Sequence, residues 1–295
     1  MLIPDQVQSM ISELLNTGEG PSSAPLYCTP VSGGSINNCY RVSSGKEKDY
    51  FLKLNRTDAL PGLYKKEQAG LLWIEKQDAI RVPAVIKTGT HGDFQFLLME
   101  WLEPGLRTEK FWASFGSRLA RLHSLSHSAF GFPEDNYMGA LPQVNGYMDK
   151  WEDFYIHNRL MPQVKLAVDN KLIEETEALQ FEKLYKRLTG YFEPENPALL
   201  HGDLWSGNFI CDSNSEPVLI DPAVYYGHRS IDLAMTKLFG GFDKLFYESY
   251  HYHYPLPANY QEQWDICQLY PLLIHLNLFG RGYLQEIKAI LKKYI

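Results

Sequence analysis

Three polar side chains in the second half of the chain have the types and spacing that phosphoryl transfer requires. Asp203 lies in the string HGDLWSGN at positions 201–208, Asn208 follows it by five residues, and Asp221 ends the next hydrophobic run. The reaction needs a carboxylate that orients the acceptor hydroxyl and takes its proton, and oxygen ligands for Mg²⁺ at the terminal phosphates. The ordered set therefore predicts Asp203 as the catalytic base and Asn208 and Asp221 as metal ligands. Either Asp alone would be an ordinary turn or strand-end carboxylate.

A lysine in a predicted strand supplies the second element of this chemistry. Lys53 lies in the run Tyr50–Leu54, where alternation places its side chain opposite to those of its two leucine neighbours. In kinases such a lysine contacts the α- and β-phosphates of ATP and is held by a glutamate from the neighbouring helix. Glu67 is the candidate partner, and Glu75 or a plain surface pair is the alternative. A strand lysine alone usually lies on a solvated face, so this prediction depends on the other motifs.

Two weaker signals complete a predicted nucleotide site for ATP and Mg²⁺. The turn Gly33-Gly34-Ser35 precedes the Lys53 strand, where backbone N–H groups could approach a phosphate closely. Two glycines in a hairpin more often serve the turn itself. The segment Met99-Glu100-Trp101-Leu102 has the character of a hinge whose main chain could pair with adenine, or else it is an ordinary connector.

The elements around these residues change in type along the chain. The β-like runs are Leu26–Val31, Cys39–Val42, Tyr50–Leu54, Ala84–Lys87 and Phe94–Met99, with a helix from near Gly62 that carries Glu67. The later helical patterns are Lys110–Leu125, Met148–Val168, Leu172–Tyr191 and Ile231 to the end, interrupted by a strand–loop–strand unit around Asp203 and Asp221. We therefore predict an α+β protein of two lobes. Residues 1–99 form a small antiparallel β-rich nucleotide-binding lobe, 100–105 a hinge, and 106–295 a larger α-helical catalytic and substrate lobe.

Composition excludes several classes of function. The 295 residues are 45% hydrophobic and 21% charged, enough apolar material for a packed core, and the net charge of −7 argues against a nucleic-acid partner. The four cysteines form no CxxC pair and have no metal-like spacing, which indicates reduced thiols in a cytoplasmic protein. The first 16 residues indicate an amphipathic helix and not a signal peptide, and the apolar run Leu269–Phe279 is too short to span a bilayer. We expect no membrane partner, and the oligomeric state stays open.

The segment after Asp221 indicates a small acceptor. Pro222-Ala223 stands where a protein kinase would have Phe-Gly, and proline has a fixed φ and no N–H. Only ten residues separate Asp221 from Asp232, which leaves no room for a long activation loop with a peptide platform. The acceptor is therefore expected to be a small molecule, or a small adduct on a side chain, and not an extended peptide.

With these motifs the chain resembles the fructosamine/ketosamine kinases, distant relatives of aminoglycoside and choline kinases with a protein-kinase-like fold. The likeness runs from near residue 30 to near residue 284. It lies in HGDLWSGN (201–208), GGSINN (33–38), DNYMG (135–139), PQVN (142–145), DPA (221–223), DLAM (232–235), FGGF (239–242) and HLNLFG (275–280). Some relatives carry an oxidisable cysteine in the glycine turn, where this chain has Ser35, so we expect no redox switch there.

The resemblance implies ATP-dependent phosphorylation of the sugar 3-hydroxyl of ketosamines, the rearranged products of amine glycation. The 3-phosphate makes the adduct labile and so deglycates a protein or a metabolite. The same resemblance implies Asp203 as proton acceptor, Asn208 and Asp221 as metal ligands, and Lys53 as a phosphate contact. The partner is then a small ketosamine or a glycated lysine. Which ketosamine is preferred, and whether it is free or protein-bound, stays open.

Three further residues are candidates for the substrate side. Trp205 could form an apolar wall under the sugar or its amine substituent, or it could be a core residue that packs the catalytic loop. His275 and Asn277 lie on an apolar helical pattern, where hydrogen-bonded core residues are the usual occupants. The alternative enzymatic reading is a kinase of another small hydroxyl compound, aminoglycoside- or choline-kinase-like. A silent nucleotide-binding scaffold is disfavoured because the predicted catalytic, metal and phosphate residues are all present.

Overall fold

The N-terminal part of the chain is organised around an antiparallel sheet of five strands. The strands are β1 (Tyr27–Val31), β2 (Asn38–Ser43), β3 (Asp49–Arg56), β4 (Val85–His91) and β5 (Phe94–Glu100). In this computed structural model, which describes residues 3–15, 26–31, 38–43 and 48–295, their spatial order is β1-β2-β3-β5-β4. Strand β3 is therefore central, and its Lys53 pairs with Cys39 of β2 and Leu97 of β5.

Alternation along the strands gives this sheet two differently covered faces. Leu52 and Leu54 belong to an apolar cluster that also contains residues of helix α1 (Asp5–Leu15). Lys53 lies between these two leucines, so its side chain points to the opposite face, as the alternation predicted. Helix α2 (Leu63–Glu75) contacts β4 and β5 and carries Glu67.

Helices dominate after β5 and surround three short strand pairs. The helices are α3 (Glu109–His123), α4 (Trp151–Tyr155), α5 (Met161–Asp169), α6 (Glu175–Tyr185), α7 (Ser230–Leu238), α8 (Lys244–His253), α9 (Tyr260–Cys267), α10 (Leu269–Phe279) and α11 (Leu284–Tyr294). The strand pairs are β6 (Asn136–Met138) with β7 (Leu141–Gln143), β8 (Ala198–Leu200) with β11 (Tyr225–Gly227), and β9 (Phe209–Cys211) with β10 (Pro217–Leu219). One large core joins α2 and the inner face of the sheet to these helices. This arrangement agrees with the predicted α+β order, and the boundaries at 99/100 and 105/106 stay predictions.

Two predicted helices are shorter or more irregular than expected, and both departures have local causes. The helix predicted over Met148–Val168 begins at Trp151 and contains a π-helical turn at Ile156–Leu160. That turn ends just before Pro162, which lies in the first turn of α5 and cannot donate the i→i−4 bond that a continuous helix needs. The helix predicted over Leu172–Tyr191 covers only α6 and a separate 3₁₀ turn. Lys171 has φ of 57°, and Glu174 and Glu177 form a capping box that fixes the start of α6.

The β6–β7 hairpin and strand β11 were not predicted. Each of these strands has three residues, too few for an alternating pattern to stand out from a loop. Among the residues that the structure describes, none of the helices combines the length and apolarity needed to cross a membrane.

Candidate active site

The buried Lys53 lies between two carboxylates. Its Nζ is 2.6 Å from Oε1 of Glu67 and 2.5 Å from Oδ1 of Asp221. Burial lowers the pKa of the Lys53 ammonium, but attraction to Asp221 and Glu67 outweighs it, so the pKa is raised and the ammonium stays charged. The structure therefore joins three of the predicted site residues, and the partner from α2 is Glu67, as preferred over Glu75.

Helix α2 is held against the segment that follows Asp221, and this contact positions Glu67. A Cβ on Gly70 would lie 3.1 Å from Cγ2 of Val224, so the helix packs closely on that segment and a larger residue would push Val224 away by a few tenths of an ångström. One turn further along, Nε1 of Trp73 donates to the hydroxyl of Tyr226 at 3.3 Å. Glu67 is thus presented to Lys53 by a helix whose C-terminal half is docked on the segment that follows Asp221.

Asp203 and Asn208 form a closed loop at the end of β8. Nδ2 of Asn208 donates to Oδ2 of Asp203 at 2.9 Å and to its backbone oxygen at 2.8 Å. Burial, together with the nearby negative charge of Asp221, raises the pKa of the Asp203 carboxyl to about 7, against the bond from Asn208. A base with a pKa near the operating pH is well matched to proton transfer.

The geometry of this loop fits a hard divalent cation. Asp203 and Asp221 present carboxylates to the same space, and the Asn208 nitrogen is engaged by Asp203, so its oxygen is the atom available to a metal. Asp221 has φ of 56°, a left-handed conformation that costs a non-glycine residue about 1–3 kcal/mol and persists only where the surroundings impose it. Its side chain is 39% exposed although Lys53 is bonded to it, so it faces the open cleft.

One side of the cleft is an aromatic cavity of about 470 Å³, within the range of small-molecule sites. Asp203 and Trp205 both line it, and the Trp205 ring meets Phe239 edge-on at 6.3 Å. His275 lines the same cavity, packs 4.7 Å from the Phe239 ring and 5.1 Å from the Tyr283 ring, and its Nδ1 bonds the Pro271 carbonyl at 2.8 Å.

Asn277 is not brought to this cavity. Its Nδ2 donates to the backbone oxygen and to Oε1 of Gln163 at 3.0 and 2.9 Å, which ties α10 to α5. This geometry favours the hydrogen-bonded helix residue over the substrate contact.

The other side of the cleft lies under the sheet and is lined by the predicted hinge. Met99, Glu100, Trp101 and Leu102 all contribute to it. Nη2 of Arg81 lies 3.0 Å from both oxygens of the Glu100 carboxylate, which also accepts the Ala84 N–H at 2.9 Å, so this side chain holds the hinge. The predicted phosphate-covering turn Gly33-Gly34-Ser35 lies outside the described residues.

Comparison with known proteins identifies the family. Residues 7–295 match the model of the fructosamine kinases. The chain belongs to the fructosamine kinase family. A probable ketoamine kinase from Synechocystis is 42% identical over 264 residues, which cover 89% of this chain and 88% of that protein. The chloroplastic protein-ribulosamine 3-kinase of Arabidopsis thaliana is 36% identical over 290 residues, which cover 94% of this chain and 85% of that one.

A solved structure has the same architecture as this fructosamine kinase. A protein from Thermobifida fusca assigned as a fructosamine-3-kinase superposes with a TM-score of 0.84 at 30% identity, over 97% of each chain. Phosphotransferases that act on antibiotics share the fold at much lower identity, and that likeness shows the fold alone. The predicted protein-kinase-like fold is confirmed, and the chain is a phosphotransferase that acts on a sugar hydroxyl.

A carboxylate that the sequence did not mark as a site residue, Asp232, holds the loop that carries Asp203. Oδ2 of Asp232 accepts the backbone N–H of His201 at 2.7 Å, and Oδ1 accepts that of Gly202 at 2.9 Å. Nε2 of His123, from α3, lies 3.1 Å from the same carboxylate, and Nδ1 is 2.8 Å from the Tyr250 hydroxyl. The sequence does contain a signal for this role of Asp232. An Asp in the first turn of an apolar helix is expected to be buried, and a buried carboxylate needs hydrogen-bond donors.

Proposed function

We propose that this fructosamine kinase transfers the γ-phosphoryl group of ATP to the 3-hydroxyl of a ketosamine, with Asp203 as the base. The observation that carries the proposal is how the site residues divide between the two sides of the cleft. Lys53, Asn208 and Asp221 line both sides, whereas Asp203 lines only the aromatic one. A transferring phosphoryl group must sit between its donor and its acceptor, and the base must lie beside the acceptor.

Each residue then has one task. Asp203 orients the sugar hydroxyl and accepts its proton. Lys53, kept charged by Asp221 and Glu67, contacts the α- and β-phosphates of the nucleotide, and Asn208 and Asp221 would hold Mg²⁺ by their oxygens. The metal, when bound, neutralises charge on the phosphate oxygens.

Backbone hydrogen bonds within the predicted hinge leave few of its main-chain groups available to adenine. The N–H groups of Glu100 and Trp101 donate to the carbonyls of Ala84 and Asp49, at 2.9 and 3.3 Å. Of the four predicted hinge residues, Leu102 therefore best offers its main chain to adenine, with Met99 packing in the core behind it.

The acceptor is a small ketosamine or a glycated lysine side chain. The aromatic wall of Trp205, Phe239 and Tyr283 suits the apolar face of a sugar and its cationic amine substituent. Names of relatives, ketoamine kinase and protein-ribulosamine 3-kinase, support this class of acceptor. We place the reaction in the cytoplasm, where the buried thiols of Cys211 and Cys267 stay reduced.

A panel of acceptors tests the proposal. At saturating MgATP, kcat/KM is measured for ribulose- and fructose-lysine, free hexoses, choline and an aminoglycoside, and NMR locates the phosphate on the product. We expect the ketosamines to exceed the others by roughly 10⁴-fold, because the wrong acceptor leaves buried polar groups unpaired. Equal or better efficiency on choline or an aminoglycoside would assign the enzyme to that alternative class instead.

A further inference from the structure

The β6–β7 hairpin reaches the segment that follows Asp221 with two side-chain amides. Nε2 of Gln143 donates to the carbonyl of Ala223 at 3.1 Å, and Nδ2 of Asn136 donates to the carbonyl of Val224 at 2.9 Å. These residues belong to the strings DNYMG and PQVN, to which the proposed reaction gives no task. Their bonds end two and three residues after the proposed metal ligand.

The catalytic loop holds the same segment from its other side. The N–H of Ala223 donates to the His201 carbonyl at 2.8 Å. A Cβ on Gly202 would lie 2.1 Å from the Ala223 carbonyl oxygen, so the two backbones are in direct contact. Residues 221–224 are therefore clamped between the loop that carries Asp203 and the hairpin that carries Gln143.

Both the nitrogen and the oxygen of the Gln143 amide are hydrogen-bonded, and these bonds fix its orientation. Besides Ala223, Nε2 donates to Oδ1 of Asn136 at 2.8 Å, and Oε1 accepts the Tyr270 hydroxyl at 2.9 Å. The side chain is 1% exposed. A buried polar network whose members are all satisfied specifies one arrangement, because each displaced group would lose its partner in a low dielectric.

A second tier anchors the hairpin itself. Asn145, just beyond β7, donates to Oδ1 of Asn136 at 3.0 Å and accepts from Nη2 of Arg159 at 2.7 Å. The Arg159 guanidinium is buried and lies over the Tyr225 ring at 4.0 Å, and Tyr225 follows Val224 directly. The hairpin is thus tied to the α4–α5 region as well as to the active-site segment.

We propose that Gln143 is a positioning residue that holds Asp221 in its left-handed, metal-binding conformation through the Ala223 carbonyl. This inference rests on the proposed metal role of Asp221. The chain has only ten residues between Asp221 and Asp232, so it has no long activation loop to order this segment. The β6–β7 hairpin performs that ordering permanently.

The test compares two buried glutamines that make the same set of bonds. Gln263 in α9 is also 1% exposed, donates to the Tyr191 carbonyl and to Oδ1 of Asn259 at 3.2 and 3.3 Å, and accepts from the Ser230 hydroxyl at 2.9 Å. It lies outside both sides of the cleft. Gln143→Leu and its control Gln263→Leu each remove three hydrogen bonds, so both should lower Tm.

Only the Gln143 change should alter metal binding. Calorimetry with ADP, in EDTA and in excess Mg²⁺, measures how much the metal strengthens nucleotide binding. For Gln143→Leu we expect this gain to fall by about tenfold, as for other groups that orient metal ligands, with metal-free ADP affinity unchanged. Gln263→Leu should keep the wild-type gain. Tyr270→Phe removes only the hydroxyl that orients the Gln143 amide and should act in the same direction by a smaller factor, which keeps the proposal testable if Gln143→Leu does not fold.

Asp221→Asn separates this inference from the proposed function. If it abolishes the metal-dependent gain while Gln143→Leu and Tyr270→Phe keep it, the positioning role is refuted and the metal role stands. If Asp221→Asn itself keeps the gain, the metal role fails and the inference fails with it. Equal losses in Gln143→Leu and Gln263→Leu would also refute a specific role for Gln143.

Discussion

Asp203→Asn should lower activity and raise stability together. The substitution preserves the shape of the side chain, and an amide oxygen can still accept the bond that Asn208 donates at 2.9 Å. The loop therefore keeps its geometry and loses only its base. General-base catalysis contributes roughly 10²–10⁴-fold, so kcat should fall by that factor while ATP affinity stays within about twofold.

The stability gain follows from the raised pKa of Asp203. Burial and the charge of Asp221 raise it from 3.8 to about 7, so the folded state holds a proton that the unfolded state releases, and stability falls as pH rises through this window. Three pKa units correspond to about 4 kcal/mol at pH above 7. Asp203 faces the open cleft, where water screens its charge, so we expect about half of this. Asn avoids this cost of about 2 kcal/mol, which corresponds to a rise in Tm of roughly 3 °C for a chain of 295 residues.

The assay is thermal unfolding at pH 8 in EDTA, paired with a coupled ADP-release assay in MgATP and a ketosamine. The Tm difference should shrink at pH 4, where the wild-type carboxyl is protonated in the folded state, and it should also shrink when Mg²⁺ and ADP are bound. Activity within a few-fold of wild type would remove Asp203 from the role of base. A Tm at or below that of the wild type at pH 8 would refute the burial argument.

Three further changes test other parts of the site and the core. Asp221→Ala should abolish turnover at any Mg²⁺ concentration, because Asn208 alone offers one neutral oxygen; full recovery at high Mg²⁺ would make Asp221 a secondary ligand. Gly202→Ala would put a Cβ 2.1 Å from the Ala223 oxygen at φ of 86°, so the backbones must separate by about 1 Å; we expect kcat to fall on the order of 10²-fold in a folded protein, and a wild-type kcat would contradict the close contact. His228 is buried beside Glu195, and burial lowers its pKa to about 4. Because the unfolded state takes up this proton first, stability should fall by about 3 kcal/mol as pH drops from 6.5 to 4, and His228→Phe should flatten that slope in urea titrations; an unchanged slope would assign the acid sensitivity elsewhere.

The parts of the site that could be predicted are those whose chemistry constrains residue type. A lysine between two leucines in a strand has to point away from them, which predicted that Lys53 lies on the opposite face of the sheet. A helix glutamate was the expected partner, and Glu67 supplies it at 2.6 Å. The order and spacing of Asp203, Asn208 and Asp221 predicted one base and two metal ligands, because each of these side chains carries an oxygen. Periodicity and functional-group chemistry act over short sequence distances, so both are visible in the chain.

What could not be predicted depends on contacts between distant segments. Gln143 and Asn136 donate to the carbonyls of Ala223 and Val224, which lie about eighty residues later in the chain. Every residue has a backbone carbonyl, so the sequence does not show which one a side chain will bond. Asn277 belonged to a family string, yet its side chain is directed to α5 and not to the cleft. The same apolar helix pattern accommodates either direction, so only packing decides between them.

The docking of α2 has a consequence for how the reaction is controlled in time. In many kinases the glutamate helix swings in only after a signal, and that movement is the switch. Here Gly70 packs on Val224 and Trp73 donates to Tyr226, so packing within the fold itself holds α2 where Glu67 pairs with Lys53. In such an enzyme no helix movement has to precede catalysis. The rate of phosphorylation then follows the concentrations of acceptor, ATP and enzyme. That behaviour suits a kinase whose acceptors are products of glycation, because glycation is slow and occurs wherever a sugar meets an amine.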